Sequence, residues 1–366
     1  MSINKKKNPY FLVLVFVLLT SFLTSCAGGG QAVASWPEVT IDLDRETAYL
    51  AAGPFLHAIN LTNGSEKWHF PAEANNKISF YAAPALTQDG QVILSGYDHK
   101  VYSLDPASGA EKWVFSEGTN RYIASPLAYE TGIYAPSSDN FLYALDLSGI
   151  SRWKFETDHV QWSTPATDGK NLFLPSMNHH IHALEIETGN LVWESEDLGG
   201  SIAGSLALGP DGVMYAGTIG SELLAIDMQN GQVKWRMPAD GWVWSGPVLD
   251  GDRLYFGDMA GSVYAVNARD GSVIWKIQPD TGENRAITGK PLVMGDALYF
   301  GAASGTLYSV NTSDGSPRWN KIFEGKMHFG PYAAGERILV APTAKAPTLV
   351  ALDLNGNQVW AFSQKK

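Results

Sequence analysis

The sequence predicts an all-β fold, an eight-bladed β-propeller with four antiparallel strands per blade, over residues 36–366. Three observations carry that prediction. A motif of small residue, any residue, Asp/Asn/Glu, a turn ending in Gly, and Trp four residues after the Gly occurs eight times, with Trp-to-Trp intervals of 40–45 residues. Each unit holds several short apolar runs separated by Gly, Asp and Pro turn signals, the pattern of four short strands. No apolar period of 3.6 residues extends far enough after residue 36 to make a useful helix. A four-stranded unit of this size cannot bury its faces alone, whereas stacking neighbours in a closed ring buries both and protects the end blades.

The chain starts with a segment outside that repeat. Lys5, Lys6 and Lys7 form a basic head, and residues 11–23 are apolar without charge. So short an apolar run with these flanks reads as an export signal over residues 1–25, and not as a retained span. Leu23-Thr24-Ser25-Cys26 then resembles a bacterial lipobox, which would make Cys26 the first mature residue and the carrier of the lipid. Each acyl methylene buried in a bilayer contributes about 0.8 kcal/mol, so several chains make a stable anchor. Cys26 is the only cysteine, so no intramolecular disulfide is expected even in an oxidising exported setting. Residues 26–35 are small and Gly-rich and read as a lipidated, flexible tether.

Within each repeat the order is regular. A small residue and Pro open the first strand, as at Ala83-Pro84, Ser125-Pro126, Thr164-Pro165, Gly246-Pro247 and Gly330-Pro331; Ser205-Leu206 takes this place in the fifth unit without Pro. A polar turn such as Asp211-Gly212 follows, then an alternating apolar strand such as Val213–Ala216, a second tight turn, and the strand leading into the Trp motif. The motif tryptophans are Trp68, Trp113, Trp153, Trp193, Trp235, Trp275, Trp319 and Trp360. Their expected work is structural. The Gly supplies positive φ for the last hairpin, the small residue leaves room, the acidic or amide side chain satisfies turn amides, and the indole fills the gap between blades, which widens outward. The turns before Trp153 and Trp360 are one residue shorter. Whether one blade combines strands from both termini is left open by the sequence.

Charge and motif content restrict function. The net charge is −11 with the leader included, and the leader contributes only lysines, so the mature body is more acidic still. Such a body repels phosphates, and no nucleic-acid partner is expected. His180 and His182 share one face of a strand in Asn178-His-His-Ile-His182, but no Cys or acid at ligand spacing accompanies them, so no metal site is assigned. Asp98, Asp139 and Asp258 lie near blade turns without Ca²⁺-loop spacing and read as solvated turn residues. No nucleophile-elbow or zinc-protease motif is present, no catalytic residue is assigned, and the chain is expected not to be an enzyme.

The non-repeating residues that remain gather where one blade passes to the next, just before each Pro. Tyr81, Trp162, Trp244 and His328 all lie three residues before the Pro, and Arg121, Trp242 and Lys326 lie five before it, with Arg285 in the equivalent loop of its unit. If the blades superpose, these side chains ring one mouth of the axial channel. They either plug the channel or form a surface for a protein partner or ligand, since aromatics and Arg are favoured interface anchors on loops carried by a rigid scaffold.

The pattern Ala225-x-Asp227-x-x-x-Gly231-x-x-x-Trp235 resembles the repeat of pyrroloquinoline-quinone-type propellers, over essentially all of residues 36–363. Two branches of that family differ in what they imply. Quinoprotein dehydrogenases hold the quinone on the axis with Ca²⁺ bound by Glu, Asn and Asp, commonly against a vicinal disulfide. A chain with one cysteine, no long insertions and no Cys-x-x-Cys-His site departs from them. Lipoproteins similar to the propeller component of the outer-membrane barrel-assembly machinery are about this long, start with a lipobox and carry eight blades. That resemblance implies an exported, lipid-anchored scaffold in an envelope complex, facing the periplasm or exterior, monomeric as a propeller and without cofactor. The alternative is a quinone- or sugar-binding propeller, sensor or dehydrogenase-like, that uses the central channel with pyrroloquinoline quinone and Ca²⁺.

Overall fold

A computed structural model of the chain describes residues 37–75, 77–344 and 348–364. The leader, Cys26, the tether and Trp36 lie outside the described residues. Among those described there is no helix, and thirty-two strands form eight four-stranded sheets. The blades run β1(Glu38–Asp42) to β4(Glu66–Phe70), β5(Ala85–Leu86) to β8(Glu111–Phe115), β9(Leu127–Tyr129) to β12(Ser151–Glu156), and β13(Ala166–Thr167) to β16(Leu191–Glu194). The other four run β17(Ala207–Leu208) to β20(Val233–Pro238), β21(Val248–Asp250) to β24(Val273–Ile277), β25(Leu292–Met294) to β28(Pro317–Ile322), and β29(Tyr332–Ala334) to β32(Gln358–Ser363). Every sheet is an antiparallel meander in chain order. The first strands of neighbouring blades adjoin one another around the axis, β1 next to β29 included.

Burial follows position in the blade. The middle strands are buried on both faces, as in β2(Thr47–Ala52) and β6(Val92–Ser95), because a blade lies on each side of them. The outermost strands alternate; β12 and β28 expose every second residue to solvent. Eight apolar clusters result, one per blade interface, and none is a shared central core. This is the quasi-one-dimensional arrangement expected of stacked repeats.

The Trp motif is the joint of each interface. The small residue pairs directly across the ladder with the Trp of its own blade, as Ala58 with Trp68, Ala225 with Trp235 and Ala351 with Trp360, and a β-bulge follows it. In six blades the aromatic on the second strand lies on the other side of that small residue. Tyr49 and Trp68, Phe173 and Trp193, and Tyr255 and Trp275 then meet at 5.8–6.0 Å between ring centres. The indole does more than fill a gap. It lies on the turn glycine of the next blade, so that a Cβ on Gly109 would stand 2.5 Å from Trp68 and one on Gly271 2.8 Å from Trp235. In seven of the eight motifs its Nε1–H donates to the carbonyl just after the next blade's Asp/Asn position, as Trp68 to Pro106 at 2.9 Å and Trp193 to Met228 at 3.0 Å; Trp153 packs on Gly189 without this bond. The two short turns keep this contact by tightening. Gly149 and Gly356 donate to a carbonyl three residues back, whereas Gly109 and Gly231 donate to one four back.

The ring closes without mixing termini. β1 is the innermost strand of the first blade and β32 the outermost of the last. The same joint closes the seam: Trp360 donates to Leu61 O at 2.8 Å and lies on Gly64, and Arg337 donates to the carbonyls of Leu61 and Thr62. Val39, Leu50, Ile59, Leu339, Leu349 and Phe362 form the apolar cluster beneath.

Candidate functional site at the channel mouth

The loops that enter each blade are built on a two-residue alternation. The residue four before the Pro position is buried in every described case: Phe80, Tyr122, Gln161, Ile202, Val243, Ile287 and Met327. Three of these side chains pack where the preceding second strand ends in glycine. A Cβ on Gly217, Gly257 or Gly301 would stand 2.3–2.9 Å from Val243, Ile287 or Met327. The residue five before the Pro position has its carbonyl held by the second turn of the blade it enters, as Ser138 N to Arg121 O, Met259 N to Trp242 O and Thr343 N to Lys326 O, at 2.8–2.9 Å. With position four pinned inward, positions three and five are displayed on the mouth. That is where Tyr81, Trp162, Trp244 and His328, and Arg121, Trp242 and Lys326, are found. The buried row has a sequence signal, a mostly apolar residue between two variable ones, but the aromatics that break the repeat on either side mask it.

The displayed residues are not equivalent. Tyr81 lies against Tyr97 at 4.3 Å between ring centres, and the Arg121 guanidinium stands 4.9 Å over the same Tyr97 ring, a cluster that joins the second and third blades. Tyr97, on the second turn of its blade, has no feature in the sequence that sets it apart. Trp242 is the most open of the mouth tryptophans at 39% exposure, while Trp162 and Trp244 are half-buried. Lys326 is exposed, and its charge together with burial holds the His328 imidazole down at about 4, so His328 is neutral at physiological pH. Arg285 is placed differently. Its stem packs on the turn glycine Gly261 beside the mouth.

Below this collar the channel wall carries three further groups. Glu38 opens β1, and its Oε2 accepts from Ala83 N at 2.7 Å and from Ser125 Oγ at 3.4 Å, so one carboxyl ties three blades. Burial pushes this carboxyl up to about 7, against the lowering effect of those two donors. Tyr332 on β29 lies close enough for Glu38 to add to its raised hydroxyl pKa, most of which comes from burial. Lys290 directly precedes Pro291; water reaches it, yet surrounding protein desolvates its ammonium and lowers its pKa.

The turn aspartates differ from the expectation. Asp258 is fully buried, accepts from Tyr264 Oη at 2.9 Å and from Ser262 N at 2.9 Å, and is not a solvated turn residue. Asp139 accepts from Tyr143 Oη at 2.9 Å, and Asp98 accepts from Tyr102. All three anchor a strand tyrosine, and Asp139 and Asp258 also accept from backbone amides of their own turns. The histidine cluster has an acidic neighbour that spacing concealed, because Glu194 pairs across the ladder from His182 and lies 3.6 Å from His180 Nδ1. Among the described residues, no three potential metal-ligating side chains converge there or at the mouth. A shallow recess of about 460 Å³ lies on the opposite face beside Trp113, where Gln91 is bound within the protein by Asp89, Ser103 and Leu147.

The family model described as outer membrane protein assembly factor BamB matches residues 52–196, 177–292 and 259–366. An uncharacterized protein of Rickettsia prowazekii (strain Madrid E) is 24% identical over 312 residues, 75% of this chain and 72% of that one. The outer membrane protein assembly factor BamB of Yersinia pestis is 27% identical over 238 residues, 58% of this chain and 57% of that one. The crystal structure of BamB from Moraxella catarrhalis superposes with a TM-score of 0.68 at 18% identity, over 85% of this chain and 97% of that one, a likeness of fold.

Proposed function

Because the chain belongs to the outer membrane protein assembly factor BamB family, we propose that it is a lipid-anchored envelope scaffold in outer-membrane protein assembly, with its mouth collar as the partner-binding surface. The observation that carries the collar assignment is the loop alternation. Buried residues pin each entry loop while Tyr81, Arg121, Trp162, Trp242, Trp244, Lys326 and His328 are presented to solvent on a rigid ring. Trp, Tyr and Arg are the side chains that concentrate binding energy at interfaces, and truncating such an anchor commonly costs about 2 kcal/mol or more. An extended protein segment suits the collar, because aromatic faces grip it without demanding one sequence. No catalytic role is proposed, since among the described residues no nucleophile, base and orienting group come together at the mouth.

Membranes carrying the full chain give the test. Quantitative recovery of co-purifying envelope proteins is expected to fall at least about tenfold in Trp162→Ala, Trp244→Ala and Arg121→Ala, with thermal midpoints near wild type. Unchanged recovery in all three means that partners bind elsewhere. The same purified protein is expected to show no saturable binding of pyrroloquinoline quinone with Ca²⁺. The acids that would have to hold the ion are committed to tyrosines, and Glu38 keeps its proton up to about pH 7.

A further inference from the structure

The place where the chain enters the propeller determines which face the anchor can present. β1 is an innermost strand, and its first residue, Glu38, is bound to Ala83 and Ser125, the residues directly before Pro84 and Pro126. The N-terminal end of β1 is therefore at the mouth, close to the axis. Eleven residue steps separate Cys26 from Pro37. Fully extended they span at most about 40 Å.

That reach leaves no slack for bringing the opposite face to the membrane around the outside. From β1 to β4 the tether would cross three strand spacings of about 4.8 Å and the outer side chains, about 20 Å in all. It would then descend the six residues of a strand such as Thr47–Ala52, about another 20 Å. The total, about 40 Å, only reaches the far rim.

We infer that the anchor holds the mouth toward the bilayer, so that the collar receives an extended segment of a membrane-embedded protein presented at the bilayer surface. This rests on the proposed lipidation of Cys26 and on the collar as partner site. The open Trp242 and the cluster of Tyr81, Tyr97 and Arg121 then face the interfacial layer, where amphipathic rings and guanidinium groups are well accommodated. The hairpin turns of the Trp motifs, with Asn230 and Asn355, point away from the membrane.

The full lipidated chain in phosphatidylethanolamine–phosphatidylglycerol vesicles gives the test. Single cysteines carry a fluorophore at Ser116 or Asn284 on the mouth face, or at Asn230 or Asn355 on the other, all four exposed in the structure. With nitroxide on the lipid headgroups, quenching at Ser116→Cys and Asn284→Cys is expected to exceed that at Asn230→Cys and Asn355→Cys by about threefold or more. Equal quenching on both faces, or stronger quenching at Asn230→Cys and Asn355→Cys, overturns the orientation. The latter would mean that the tether threads the axis. Co-flotation with the vesicles, lost in Cys26→Ser, is read separately. A wild-type chain that does not float overturns the anchor itself, whereas one that floats with the wrong quenching pattern overturns the orientation alone.

Discussion

Gly271 and Gly251 both hold left-handed backbone, with φ of 72° and 58°, but their surroundings differ. A Cβ on Gly271 would press on the Trp235 indole at 2.8 Å, whereas one on Gly251 meets nothing within 4 Å. Gly251→Ala is expected to cost only the left-handed backbone penalty, about 1–2 kcal/mol. Gly271→Ala adds the displacement of a packed indole, for about 2–4 kcal/mol in all. Thermal midpoints of the two variants check the difference, and equal shifts would show that backbone conformation alone selects the motif glycine. Glu38 is a second residue-scale case. Its folded pKa of about 7 lies above the ordinary carboxylate value, so the native state holds a proton that the unfolded chain releases. Its favourable contribution is complete below the unfolded pKa and is lost as pH rises through about 7. Glu38→Gln keeps an oxygen for Ala83 and Ser125 without the charge. The variant is expected to gain thermal midpoint relative to wild type as pH goes from 5 to 8, and a gap that does not change with pH rejects a buried, protonated carboxyl. His328 works in the other direction. Held neutral down to about 4, it withdraws stability as pH falls below the ordinary imidazole value.

At the scale of elements, the joint between blades is the unit of stability, and eight copies share the load. The seam between β32 and the first blade is made by the same Trp–Gly contact as the others, reinforced by Arg337 on Leu61 and Thr62. It has one difference: no chain connection crosses it. Trp360→Ala removes a 7%-exposed indole from the apolar cluster and is expected to cost about 3–5 kcal/mol. Hydrogen exchange should then accelerate first in β1–β4 and β29–β32, while the blades opposite stay protected. Uniform acceleration around the ring would show that the seam is not a separable unit. The entry loops follow a comparable logic. Their buried fourth position pins each loop and leaves unlike side chains, Arg121, Trp242 and Lys326, exposed at equivalent places.

At the scale of the molecule, the two faces of the propeller differ in what they carry. One carries the Trp-motif turns, whose carboxylates and amides are largely spent on their own backbone, as Asp227 and Asp353 show. The other carries the entry loops and the start of β1. A partner that met the proposed collar at the membrane surface would use both properties of that face, and the pull-down and quenching experiments examine them independently.

Blade number, strand count and the structural role of eight tryptophans were all legible in the sequence, because a propeller interface is local. Each joint needs one Trp four residues after a turn glycine and one small residue nine or ten before the Trp, and the same geometry imposes that pattern eight times. The equal offsets of Tyr81, Trp162, Trp244 and His328 from the Pro positions were legible too, and in the structure each follows a buried residue of its entry loop. Only the tertiary structure decided that the ring closes without strands exchanged between termini, that Asp258 is buried on a tyrosine, that Glu194 adjoins His180, and that Tyr97 contacts both Tyr81 and Arg121. Those contacts join residues of different strands and blades, whose distance in space is set by twist and stacking and leaves no period along the chain.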